Sequence, residues 1–168
     1  MKNDPYEAGI ISQRPTFERR GVRAQVVAVL YAQRHNRGLV LVHPRTRCLR
    51  RYDVHEMLLT NDPKAKPGRG TDVCAAIAFF EVDEGGVVGE GESVFIRNRC
   101  IGTVVGFDET HAPNHINVIV RDDVLRSGVG LGISLGDAVV FSGAGAPGRE
   151  EGEADAAGSS GVVDRENT

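Results

Sequence analysis

Between residues 21 and 143 the apolar positions come in short runs broken by Gly, Pro, Asn and Asp, the signature of strands joined by tight turns. Val22 to Tyr31 opens with alternation and ends continuously apolar, as a strand entering a core does. Gln33 to Gly38 supplies a polar turn, Gly38 to His43 a second strand stopped by Pro44, and Arg47 to Tyr52 a third. Asp53 to Leu59 has an acid at the N-cap position and Val54, Met57 and Leu58 at helical spacing, which predicts a short helix. Asn61 to Gly70, with two prolines and two glycines, predicts a long exposed loop.

Further along, Asp72 to Val82 is the most apolar strand, and Asp83-Glu84-Gly85-Gly86 predicts a hairpin returning through Val87-Val88. Ser93 to Arg97 and Cys100 to Phe107 form a second expected hairpin about Asn98. Ile116 to Arg121 reads as a strand, Asp122 to Ser127 predicts a helical turn, and Asp137 to Ser142 closes the folded part. Seven or eight short strands with a turn about every ten residues place the chain in the mainly β class, as a barrel or a sandwich. A small closed or partly open β-barrel with one or two short helices is the preferred form, because closure removes exposed edges.

The 168 residues suffice for one domain with a core of its own. Residues 1–20 read as an N-terminal arm and 21–143 as the barrel domain. Residues 144–168, rich in Gly, Ala, Ser, Glu and Asp, read as a disordered acidic tail that cannot bury enough surface to offset its ordering entropy. No apolar run approaches the ~20 residues of a helical membrane span, so no membrane association is expected. The first residues lack an apolar signal core, and Cys48, Cys74 and Cys100 form neither a disulfide framework nor a CxxC pair; a cytoplasmic protein is the expectation.

Charge sharpens the picture. The net value of −3 hides a block from 14 to 51 with ten arginines and one acid, Glu18, whereas 52 to 143 holds seven basic groups and fourteen acids. Guanidinium presents a fixed fork of donors suited to phosphate or carboxylate. The block therefore either binds an anion, with Arg45 and Arg47 foremost, or pairs with the protein's own acidic half. Nucleic acid is the less favoured anion, because stacking aromatics are scarce beside these arginines.

The densest polar cluster is Gly106 to Asn117, a loop between two apolar strands. It holds Asp108, Glu109, His111 and His115, the candidate acid and base groups, with Asn114 and Asn117 as candidate substrate contacts. His111, His115 and Glu109 form the candidate ligand set for a divalent metal, although no known metal motif is matched and Pro113 keeps the two histidines off one helical face. Arg97, Arg99 and Arg121, on neighbouring strands, are secondary candidates for substrate contact. Turn formation and backbone capping are the ordinary roles of Asp, Thr, Pro and Asn in such a loop. A barrel mouth is where it is expected to lie.

From Phe95 to Phe141 the order Phe95-Ile96, Ile101-Gly102-Thr103-Val104-Val105, Thr110-His111, His115 to Val120, Val124-Leu125-Arg126 and Leu135-Gly136-Asp137-Ala138-Val139 resembles the C-terminal part of the archaeal CTP-dependent riboflavin kinases. The resemblance implies a cradle-loop barrel. That family's Gly-Thr-Leu-Asn motif, which serves nucleotide and magnesium, has no counterpart here, so no catalytic residue is carried over. The expected function is an enzyme acting on an anionic small molecule, phosphorylated or carboxylated, by histidine and carboxylate chemistry with possible metal assistance. The alternative is a non-catalytic module that binds nucleic acid or an acidic partner through residues 14–51.

Overall fold

A computed structural model describes residue 5, residues 7–10 and residues 19–143. Most of the expected arm and all of the expected acidic tail lie outside the described residues. In chain order the strands are β1 (Val22–Val29), β2 (Gln33–Arg34), β3 (Leu39–Val40), β4 (Thr46–Leu49), β5 (Val54–Thr60), β6 (Gly70–Thr71) and β7 (Cys74–Glu84). They continue with β8 (Gly86–Gly89), β9 (Ser93–Ile96), β10 (Arg99–Asp108), β11 (Asn117–Arg121) and β12 (Ala138–Ser142). Neighbours pair in the order β1, β12, β9, β10, β11, β5, β7, and β7 pairs again with β1. Seven strands thus make a barrel-like ring, antiparallel except for the parallel pair of β11 with β5. The mainly β reading holds. Among the described residues no helix is long and apolar enough to cross a membrane.

The expected helices are absent among the described residues. Residues 54–60 form β5, and 122–127 form bends rather than a helical turn. From His55 to Thr60 every residue of β5 is buried, because the strand has a core on each side. Met57 and Leu59 point into the main core inside the ring, with Phe80, Phe107 and Phe141. Leu58 points outward into a second core with Leu39, Leu41, Ala76, Val105 and Ile119. A strand buried on both faces loses the alternation that would identify it.

The hairpin expected at residues 83–86 is also different: β8 pairs with β4, not with β7. The hairpin about Asn98 is present, with Arg97 and Asn98 at φ of 49° and 62° and β9 paired to β10. Irregularities at Gly102 and Gly106 bend β10. At Gly106, φ is 156° and an added Cβ would sit 2.7 Å from Leu41 Cδ2, so the bend lets the second core press onto the outside of the ring.

Candidate functional site

Side chains alternate along a strand, so Glu56, between the inward His55 and Met57, faces out of the ring beside the second core. Asn117 opposes Glu56 in the β5 and β11 register. The loop entering β11 contains the cis Ala112–Pro113 bond and winds through two turns, closed by Ala112 N–H to Glu109 C=O (2.9 Å) and Asn114 N–H to His111 C=O (2.9 Å). This winding brings the His111 and His115 rings into a stack, centroids 4.8 Å apart. The helical face they lack is not needed.

His115 is packed edge-on against Phe79 of β7, ring centroids 5.2 Å apart. Its Nδ1 lies 2.9 Å from the Asn114 amide nitrogen, and its Nε2 points to Glu56, 3.7 Å from Oε2. Nε2 is buried and has no hydrogen-bond partner among the described residues. The guanidinium of Arg37, reaching over from the segment after β2, lies 3.4 Å from His111 Nε2 and 4.0 Å from the Glu56 carboxylate. These groups line a cleft of about 580 Å³ that also includes Arg34, Asn36, Leu39 and Thr110. It lies on the outer flank of the ring, under the β2 and β3 excursion. The expected barrel mouth is not the location, because the interior is filled by the main core.

The other candidates have different duties. Asp108, 1% exposed, ties the loop down: its carboxylate accepts from Asn117 Nδ2 (2.8 Å), Thr110 Oγ1 (2.9 Å), Thr110 N–H (3.2 Å) and Val40 N–H (3.4 Å). Asp108 and Asn117 are thus bonded to each other and, through Asp108, to the backbone of the loop and of β3. Glu109 is paired with Arg47 of β4 and is not among the groups gathered with the two histidines; Glu56 holds that place. Burial depresses the Arg47 pKa, an effect the nearby Cys48 opposes.

Elsewhere Arg45 pairs with Glu90 at 3.7 Å. Arg97 donates to Gly132 C=O at 2.6 Å and pairs with Asp137 at 3.1 Å. With Arg99 it borders a separate pocket of about 290 Å³ floored by Ile96, Ile101, Leu131 and Ile133. Arg121, four residues along β11 from Asn117, lines a third cleft with Lys64, Lys66 and Arg69. Of the candidates for direct chemistry, the structure gathers His111, His115 and Asn114 in one place. Arg34, Arg37 and Glu56 are the members that sequence reasoning missed. For Glu56 a signal existed: a lone carboxylate inside the run from Val54 to Leu59.

The family model for a family of unknown function, DUF6917, matches residues 16–142. The chain belongs to this family. Comparison with curated proteins and with solved structures finds no match. Residues 16–142 include the family's whole stretch of β1 to β12 in this chain, and with it every group lining the cleft.

On the inner face behind this site, His55 Nδ1 accepts the Ile116 N–H at 3.4 Å and Nε2 stands 4.0 Å from Asp53. Burial pushes the His55 pKa below its ordinary value near 6.5; Asp53 opposes the shift, and His115 and Arg50 add to it. The folded chain thus holds this proton less tightly than the unfolded chain. Stability is full above the unfolded value, erodes as pH falls below about 6.5, and levels off below the folded value. His55→Gln keeps an acceptor for Ile116 and removes the titration. The fall in Tm between pH 7.5 and pH 5.5 is expected to be smaller in this variant than in the unsubstituted protein; equal falls would contradict the assignment.

Proposed function

We propose that the protein is an enzyme acting on a phosphorylated or carboxylated small molecule in the cleft over Glu56. The supporting observation is His115 Nε2, a buried nitrogen with no hydrogen-bond partner, facing a carboxylate at 3.7 Å on the wall of a solvent-accessible cleft. A buried polar atom left without a partner costs stability and calls for an explanation beyond packing. In this reading His115 transfers the proton, Glu56 orients it, and Asn114 fixes the ring. Arg34, without an ion-pair partner among the described residues, and Arg37 anchor the substrate's charge. The three free cysteines fit work in the reducing cytoplasm.

The polyanion module through residues 14–51 is the weaker reading. Within that block Arg19 pairs with Glu92, Arg37 with Glu56, Arg45 with Glu90, Arg47 with Glu109 and Arg50 with Asp53, so much of its charge is answered inside the molecule. The likeness of residues 95–141 to archaeal CTP-dependent riboflavin kinases bears on architecture. Phosphoryl transfer is no part of the proposal, because the nucleotide motif of that family is lacking.

Calorimetric titration with malonate and with inorganic phosphate tests the anion site. Saturable binding of one equivalent is expected, and Arg34→Gln with Arg37→Gln should weaken it by roughly tenfold or more, the worth of a charge-assisted hydrogen bond. Unchanged affinity in the double variant would show that the anion sits elsewhere.

A further inference from the structure

The Glu56, His111 and His115 side chains each offer one ligand atom, and the three atoms lie within 4.8 Å of one another. We infer that this trio binds a divalent transition metal with the preferences of zinc, through one carboxylate oxygen and two imidazole nitrogens. The inference rests on the cleft named in the proposed function and deepens that reading: with the ion bound, His115 and Glu56 hold the metal, and His115 Nε2 is a ligand instead of the proton carrier. Two histidines and a carboxylate that leave one position open are a donor set typical of catalytic zinc.

The geometry is close to what a metal needs. Tetrahedral zinc holds its nitrogen and oxygen donors roughly 3.4 Å from one another. His115 Nε2 and Glu56 Oε2, at 3.7 Å, are nearly there already. These two are the fixed ligands: both are mostly buried, one held by Phe79 and Asn114, the other within β5. His111 is exposed on the loop, so it is the ligand with freedom to close the remaining gap.

Asn114 can orient His115 in either role. A ring that donates from Nδ1 to the Asn114 carbonyl oxygen leaves the Nε2 lone pair to the metal, and rotating the amide by half a turn supplies that oxygen at the same 2.9 Å separation. Arg37 stands where its charge competes with the ion, against His111 Nε2 and Glu56 together. A bound metal displaces it towards the cleft, where its guanidinium is free to meet an anionic ligand.

The test is calorimetry and native mass spectrometry of the metal-stripped chain with zinc chloride, followed by the visible spectrum of the cobalt-loaded protein. One equivalent should bind, and His115→Ala and Glu56→Gln should each weaken binding at least a hundredfold, whereas the exposed His35→Ala leaves it unchanged. Asn114→Ala, which keeps all three ligands, should weaken it about tenfold. Arg37→Gln should tighten it about tenfold by removing a repelling charge, although the same substitution weakens malonate binding. No stoichiometric binding, or binding that survives both His115→Ala and Glu56→Gln, overturns the metal site. If malonate binding still depends on Arg37 in that event, the proposed function stands without a metal. If zinc binds as expected and no anion binds, the proposed function falls and the metal site remains.

Discussion

Gly128→Ala is expected to destabilise the fold by about 4 kcal/mol or more, which for a domain of this size lowers Tm by roughly 12 °C. Gly128 follows the bends after β11 and lies across the place where β1 and β7 close the ring. Its N–H donates to Ala76 C=O (3.1 Å), and Val129 N–H donates to Leu30 C=O (3.1 Å), while Leu30 N–H itself donates to Ile77 C=O (3.0 Å). A methyl group added at Gly128 would overlap the Ile77 carbonyl oxygen and stand 3.0 Å from that of Leu30. Both obstacles are backbone atoms in hydrogen-bonded segments, so no rotamer change relieves the clash, and the segment must lift off and break its bonds. Gly132→Ala is the control. Its φ of 68° strains an alanine, but nothing lies within 4 Å of the added carbon, so a cost of only about 1 kcal/mol is expected. Thermal unfolding of the two variants decides it, and equal melting temperatures would show that the ring is not sealed at this point.

The second large effect separates chemistry from support. With a panel of phosphate monoesters, carboxylic esters and lactones as substrates, His115→Ala and Glu56→Gln are expected to lower any turnover by roughly 10²- to 10⁴-fold, the range for loss of a general acid or base. Glu56→Gln should melt close to the unsubstituted protein, because the amide keeps the shape of the side chain. His115→Ala loses the edge contact with Phe79 and the Asn114 bond, so its Tm should fall, but by less than that of Asp108→Ala. Asp108→Ala should behave in the opposite way. It leaves the donors of Asn117, Thr110 and Val40 without their carboxylate, at a cost of roughly 3 kcal/mol. At temperatures where that variant remains folded, its turnover should be within about tenfold of normal. Turnover retained by His115→Ala, or abolished by Asp108→Ala in a folded protein, would exchange the two roles.

Much of the strand layout was legible because most strands keep one polar face or end at Gly, Asn or Pro. β1, the β9 to β10 hairpin and β12 follow from alternation and turn residues, and β11 from its apolar run ended by Arg121, within a residue or two. β5 did not, because its second face is covered by the β2 and β3 excursion and by the loop bearing Ala65, a tertiary fact that no local pattern carries. Reading residues 53–59 as a helix also concealed Glu56, the carboxylate the histidines meet. The Gly106 to Asn117 loop was identifiable from its density of titratable groups, but its two adjacent acids were not separable: Asp108 is buried against Asn117, Thr110 and Val40 at the end of β10, and Glu109 is exposed and paired with Arg47. The arginine block followed the same logic. Composition marked it as anion-seeking, and partners distant in sequence, such as Glu90, Glu92 and Glu109, decided which guanidinia are already satisfied.

The most direct test of the central claim, that the outer cleft over Glu56 is where this protein meets its ligand, is a nitrogen-15 spectrum of the imidazole side chains during titration with malonate. The account predicts saturable shifts at His111 and His115, little change at His35 and His43, and loss of the response in Arg37→Gln. Shifts confined to other histidines, or saturable malonate binding that leaves His111 and His115 unmoved, would contradict it.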